Sequence, residues 1–420
     1  MKLNLLSIML IGSGLLLSAC NGSDDKSDNP STSSNVNTDI NKIQNPVVNT
    51  PLPYKFTEDY PPNAAESVVM TYKMQGIKGQ ETQATALVFT PKTVPPAEGW
   101  PIVAWAHGAV GVADNCAPSR NRLIVGGFLP DVHTQKMIDS FVQSGYVVVA
   151  PDYEGLGEPS GQEIHPFLHV KSEAYSITDA VVATKSWLGN KTSNKWAVVG
   201  ASQGGHAALG AAQYAARANM NYKGAVAMAP ANNLEMIESL SDMALADRAV
   251  SGQISGYAAL DTLLAFMAAG MKSIYPTEPV YSTVFKSPTD KVAEKAESEC
   301  LIDMVNNFTT PMVNYFLPKG NLTDYPRKNQ GYTQHPIVRQ FLDKDSQPLQ
   351  TVVKTPIIIY QGGKDLIVLP RATDALVAQA RALTTKIDYR KGPDWDHVTV
   401  FKDNVENGQL LVDIKTLLAN

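Results

Sequence analysis

The residues best suited to chemistry in this chain surround Ser202. Gly200-Ala201-Ser202-Gln203-Gly204 fits the pattern GxSxG, with KWAVV before it reading as a strand and HAALGAAQYAARA after it as a helix. Such a strand-to-helix turn needs small residues at both glycine positions, because a Cβ there would collide with the neighbouring strand or helix. The turn also lifts the serine above the sheet edge. Backbone N–H groups at a helix N-terminus favour negative charge, so the amide of Gln203 is a candidate donor to the oxyanion of a tetrahedral intermediate.

A serine hydroxyl is a weak nucleophile until a base takes its proton, and on this arrangement of elements the partners follow as acid and then histidine. Beyond the turn's own His206, only His335 and His397 follow Ser202. His335 precedes a proline inside the long inserted region. His397 lies in DWDHVTV, after the strand pattern KIDYR and before the final helix, and is the expected base. The acid should close a strand, since it must fix the imidazole tautomer and stabilise the imidazolium. Asp365, after TPIIIYQGG, meets that requirement. Asp394 and Asp396 are nearer in sequence, but adjacency along a loop does not aim a carboxylate at Nδ1; Asp396 is kept as the alternative. The second oxyanion donor should come from the loop after PIVAWA, with the amide of Ala109 the first choice and Gly108 the reserve.

The remaining histidines read differently. His107 suits a turn-stabilising role. His165 and His169 have the i, i+4 spacing of a helical metal pair, but lack the Glu of HExxH and a third ligand, so they read as structural or pocket-lining. His206 is expected to pack beneath the loop. No metal or cofactor is expected.

These residues require a scaffold. Runs rich in β-branched residues at 102–106, 146–150, 196–199, 224–229 and 357–360, each bounded by Gly or Pro, read as buried parallel strands, and 172–188 and 204–218 as helices between them. The expected fold class is therefore α/β, a mostly parallel central sheet with helices on both faces. The long interval from Ala229 to Thr355 breaks the rhythm. Its Ala-, Leu- and Met-rich first half has helical spacing, which suits a helical cap inserted at about 231–350, either as packing alone or lining an acyl pocket.

The chain has 420 residues, 44% hydrophobic and 18% charged, with a net charge of −5. It can bury a large core and lacks the basic footprint of a nucleic-acid binder. Residues 1–19 combine Lys2 with an apolar run too short to span a bilayer comfortably, the form of an export signal. Leu17-Ser18-Ala19-Cys20 resembles the lipobox of bacterial lipoproteins, with Cys20 as the lipidated residue. The polar stretch that follows makes 20–53 a flexible tether for a domain at 54–420. Asn21 after the cysteine favours the outer membrane by the same resemblance. Export to an oxidising compartment then leaves Cys116 and Cys300 to pair, or to remain as two buried thiols.

Four segments, WAHGAVGVADNCAPS, APDYEGLG, GASQGGHAA and QGGKD with its DH partner, together resemble the secretory lipase family of α/β-hydrolases. The resemblance implies carboxylic-ester hydrolysis without a metal, with Ser202, Asp365 and His397 as the triad, and a helical cap between the sixth and seventh strands. DNCAPS points to the same disulfide. Ala109 stands where members of the family often carry Thr. The motifs leave acyl-chain preference and oligomeric state open. Another acyl hydrolase on the same fold, such as a peptidase or a feruloyl or polyester esterase, and a non-catalytic surface binding lipoprotein remain as alternatives.

Overall fold

The computed structural model describes residues 39–122 and 131–419. The export signal at 1–19, Cys20 and the first part of the tether lie outside the described residues.

Nine strands form one sheet: β1 Leu52–Pro53, β2 Ala64–Gln75, β3 Glu81–Pro91, β4 Trp100–Ala106, β5 Val147–Pro151, β6 Thr192–Ala201, β7 Asn221–Met228, β8 Ile357–Gly362 and β9 Ile387–Gly392. They lie in the order β1-β2-β3-β5-β4-β6-β7-β8-β9. The edge from β1 to β5 pairs antiparallel, and every pairing from β5 through β4 to β9 is parallel. The apolar runs are buried because helices cover both faces. Val103, Trp105 and Val199 pack with α1 Asp131–Gln143, α11 Thr399–Glu406 and α12 Gln409–Ala419, whereas their neighbours Ile102, Ala104 and Val198 pack with α2 Val170–Leu188, α3 Gln203–Gln213 and α10 Pro370–Ala382. Successive strand residues point to opposite faces, so a run apolar at every position is what two covered faces demand. On the first face Trp105 stacks on Phe401 with ring centroids 5.5 Å apart.

Between β7 and β8 lies the cap: α4 Leu234–Ala246, α5 Val250–Ile274, α6 Val280–Val284, α7 Thr289–Ala293, α8 Leu301–Lys319 and α9 Pro336–Gln340. Leaving aside the two-residue β1, this is the interval between the sixth and seventh strands. The cap shares a continuous core with the sheet through Leu264, Phe266 and Met304. Among the described residues α5 alone is long and apolar enough to cross a membrane, but 78% of its most apolar window is buried inside the protein. Its all-round apolarity is that of a core helix.

Residues 39–53, expected to belong to the flexible tether, are bonded to the folded domain. Asn41 N–H donates to the Arg217 carbonyl over 2.9 Å, Val48 N–H donates to Thr71 O over 3.0 Å, and Leu52 and Pro53 pair with Val69 and Val68. The Arg217 guanidinium, buried against Asp179 at 2.8 Å, also reaches Asp39 at 3.6 Å. These bonds cover the outer edge of β2, which would otherwise expose an unpaired row of backbone groups. Beside the packing of Val47 on the core, this segment is held by backbone and ionic contacts that its composition does not advertise.

Candidate active site

Ser202 sits at the junction of β6 and α3 with φ 58°. A positive φ is costly for a residue with a Cβ and persists only where the surroundings over-determine it. Here they do: Ser202 N–H donates to Met228 O over 2.9 Å, and its carbonyl accepts from His206 N–H at 3.1 Å and Ala231 N–H at 3.2 Å. A Cβ on Gly204 would overlap the carbonyl of Ala106, and one on Gly200 would overlap the carbonyl of Gly204. The turn can therefore close only with glycine at both places.

β8 and β9 bring the other two residues to it. After Gly362 the chain turns through Gly363 and Lys364, whose N–H groups donate to Gly392 O over 2.8 Å and Trp395 O over 2.9 Å. Those two bonds clamp the Asp365 turn to the loop carrying His397. Asp365 is buried; its Oδ1 accepts from the N–H groups of Ile367 and Val368, both at 2.9 Å. Its Oδ2 lies 2.8 Å from His397 Nδ1, and His397 Nε2 lies 2.9 Å from Ser202 Oγ. With Nδ1–H donated to the carboxylate, Nε2 is left to accept the serine proton.

The alternative acids are engaged elsewhere. Asp396 Oδ1 accepts from Thr399 N–H at 2.7 Å and Val398 N–H at 2.9 Å, capping the start of α11. Those backbone bonds, Thr399 first, hold its carboxyl below the usual range. Asp394 pairs with Lys364 at 2.7 Å in the open. His335 lies on the cap at the start of α9.

Ala109 is buried and lines one cavity together with Ser202 and Gln203. The loop leading to it is fixed from two sides. Tyr153 O–H donates to His107 O over 2.9 Å, and His107 Nδ1–H donates to Gly108 O over 2.7 Å. Burial lowers the pKa of His107, and its ring packs on Tyr153 with centroids 4.4 Å apart. From the cap, Leu301 N–H donates to Val110 O over 2.9 Å, and a Cys116–Cys300 disulfide joins the same two segments. The cap is thus bonded to the loop beside Ser202.

Beneath the turn lies a network whose centre the sequence did not single out. Glu173 of α2 is fully buried; its Oε1 accepts from Leu168 N–H at 3.1 Å and from the Gln203 side-chain amide at 2.8 Å, and its Oε2 accepts from His206 Nδ1–H at 2.6 Å. Burial alone would raise the Glu173 pKa, but the His206 charge and hydrogen bond, with His165 and Gln203 adding to them, outweigh it and hold the carboxyl below its usual value. His206 Nε2 faces the carbonyl of Ser346 at 2.9 Å, where the chain returns from the cap. Both ring nitrogens thus face acceptors. The available signal was the row Ser172, Glu173, Ser176 and Asp179, polar residues at helical spacing within α2.

His165 and His169 are not a helical pair, because α2 begins after both. His165 donates from Nδ1 to Glu154 O over 2.8 Å, and its Nε2 lies 2.8 Å from Gln203 Nε2. Burial pushes both histidines down to about 4. His165 is therefore a neutral acceptor holding Gln203. No group of three His, Cys, Asp or Glu side chains converges as a metal site among the described residues.

The cavity at Ser202 runs into the cap, lined by Phe167, Leu234, Leu260, Leu264, Met267 and Leu342. These side chains carry no hydrogen-bonding group; the polar lining comes from Ser202 and Gln203 and, within the cap, from Glu238 and Tyr332.

The sequence pattern of the secretory lipase family matches residues 131–403. The chain is 25% identical over 272 residues to Lipase 4 of Candida albicans, covering 60% of this chain and 52% of that one. It is 26% identical over 274 residues to Lipase 5 of the same organism, covering 60% and 51%. It spans about half the length of these curated relatives. In three dimensions it resembles Candida antarctica lipase A in its closed state, with TM-score 0.63, 20% identity and coverage of 89% of this chain and 84% of that one. The rice cell wall degrading esterase LipA from Xanthomonas oryzae superposes with TM-score 0.58 at 20% identity, covering 84% and 88%. These two likenesses show a common fold, that of the α/β-hydrolases. With the family pattern extending from α1 into α11, across the sheet, the cap and the strands that carry Ser202, Asp365 and His397, the chain belongs to the secretory lipase family.

Proposed function

We propose that the protein is a serine carboxylic-ester hydrolase acting through an acyl-enzyme. Carrying that reading is the continuous line of contacts from Asp365 through His397 to Ser202, with Ser202 lining an apolar cavity. Ser202 Oγ attacks the ester carbonyl as His397 Nε2 takes its proton, and Asp365 stabilises the imidazolium. The amides of Gln203 and Ala109 receive the oxyanion. The imidazolium then protonates the departing alkoxide, and water repeats the sequence on the acyl-enzyme. The substrate's acyl chain occupies the apolar cavity.

In the same reading Cys20 is lipidated and anchors an exported domain, with residues 20–38 as the spacer. A disulfide at Cys116–Cys300 accords with an oxidising compartment. A Cys20→Ala protein should fractionate as soluble; retention on membranes in high salt overturns the anchor.

Covalent labelling with a fluorophosphonate and turnover of p-nitrophenyl esters test the catalytic reading. Wild-type protein should show both, and Ser202→Ala should lose labelling and lower turnover by on the order of a million-fold. Ester hydrolysis within tenfold of wild type in the folded variant overturns the assignment.

A further inference from the structure

Two cavities meet in the cap. One contains Ser202; the other is a polar groove at the surface formed by Ser239, Lys328, Asn329, Gln330 and their neighbours. They share two lining residues, Glu238 of α4 and Tyr332. Tyr332 opens the short 3-10 turn Tyr332–Gln334 and is 9% exposed. Its hydroxyl donates to Glu238 Oε2, while Lys328 Nζ donates to Glu238 Oε1 and to Asp242. Glu238 is the single charged residue lining the cavity at Ser202 among the described residues.

We propose that the Glu238–Tyr332 pair is the wall that sets the longest acyl chain the protein accepts. The proposal rests on the acyl-cavity reading above. An alkyl chain gains by filling the Leu- and Met-lined space, and each further methylene gains again until the chain meets the pair. Beyond that point it must separate a carboxylate from its phenol donor and put a methyl group in its place, leaving Glu238 Oε2 and the Tyr332 hydroxyl without their hydrogen bond. The pair is also hard to displace, since Lys328 holds the carboxylate from the other side and Asp242 holds Lys328. Burial and the charge of Glu238 keep the phenol of Tyr332 protonated, hence a donor. Removing either member would join the cavity to the groove and let a longer chain emerge at the surface.

The test is a pair of ester series on wild type, Tyr332→Ala and Glu238→Ala: p-nitrophenyl esters from acetate to palmitate, and acetate esters of alcohols of the same lengths. Wild-type kcat/KM should rise with acyl length and then fall. Both variants, on opposite sides of the wall, should raise the ratio of palmitate to butyrate kcat/KM by about tenfold or more, the discrimination a pocket obtains from one excluded methylene. The alcohol series should keep its shape. A merely structural role would lower all esters together and leave the ratio alone. If either variant has lost its cooperative thermal transition, Tyr332→Leu replaces it, with the same expectation. An unchanged ratio in folded, active variants overturns the wall, and a shift in the alcohol series alone overturns its assignment to the acyl side. Absence of turnover of every ester by wild type overturns the proposed activity, and the wall with it.

Discussion

The side-chain amide of Gln203 donates to Glu173 Oε1 over 2.8 Å and meets His165 Nε2 at 2.8 Å, so the residue following Ser202 is held from beneath by two buried groups. Both of its amide hydrogens are used, which fixes the side chain and with it the backbone N–H proposed for the oxyanion. Gln203→Ala keeps that N–H but frees it, and should lower kcat between about tenfold and a hundredfold with KM little changed, less than the loss of a donor outright. Glu173→Ala leaves His206 and the Leu168 N–H without their buried acceptor and should cost about 3–5 kcal/mol in urea unfolding. Equal loss of kcat and stability in a Gln203→Ala protein that is only partly folded would be no support; the prediction fails if the folded protein keeps wild-type kcat.

The choice between the two loop carboxylates is settled by paired variants. Asp365→Asn should lower kcat by about ten-thousandfold, because the amide no longer enforces the tautomer that leaves Nε2 free. Asp396→Asn should keep kcat within about threefold and leave stability nearly unchanged, because an asparagine Oδ1 accepts the same N–H bonds at the start of α11. Steady-state kinetics with one ester, alongside chemical unfolding, measures both. The reverse order of kcat would transfer the acid's role to Asp396.

The Cys116–Cys300 disulfide closes a sequence separation of 184 residues and joins the Ala109 loop to the start of α8. Its replacement by Cys116→Ser with Cys300→Ser should cost about 2–4 kcal/mol. Loosening one wall of the oxyanion site should also reduce kcat more than it raises KM. Thermal unfolding and kinetics of the double variant check this, and unchanged stability would mean that the Leu301–Val110 hydrogen bond and the shared core hold the cap without it.

Glu154 supplies a pH test away from the catalytic residues. It is 2% exposed, accepts from Ile77 N–H at 2.8 Å and bonds the Ser172 hydroxyl; burial first, with only partial relief from those bonds, raises its pKa from 4.5 to about 7. The folded protein therefore holds a proton that the unfolded chain releases at lower pH. The associated stability is full below about pH 4.5 and is lost as pH rises to about 7. Glu154→Gln keeps the shape without the titration. Wild-type stability relative to that variant should fall across this window by on the order of 2–3 kcal/mol. A difference that is flat with pH, read from urea midpoints, contradicts the assignment.

Ser202, His397 and Asp365 were legible as candidates because their chemistry is local. Two glycines flanking a serine between a strand and a helix can make only a few turns, and a strand followed by Gly-Gly-Lys-Asp presents its carboxylate at a sheet edge. The buried strands were legible for the same reason, since a run apolar at every position has to be covered on both faces. Cys116 and Cys300 could be named as a candidate pair once the lipobox resemblance claimed Cys20 and export implied an oxidising compartment, but two buried thiols stayed open until the structure joined them. What the chain could not state in one dimension was which distant groups complete each buried polar atom. Glu173 reads in sequence as one charge on a helix, and becomes the support of Gln203 and His206 only when α2 is laid against α3. The antiparallel strands β2 and β3 are not apolar at every position and were not among the runs read as strands, although β2 alternates Met70, Tyr72 and Met74 with Thr71, Lys73 and Gln75, and residues 39–53 were ordered by an edge strand and by Arg217. Nor do Glu238 and Tyr332, 94 positions apart, announce a shared wall. Sequence determines such residues' types. Packing decides their partners, because the cost of an unpaired polar group arises only once tertiary structure has removed the water that would have satisfied it.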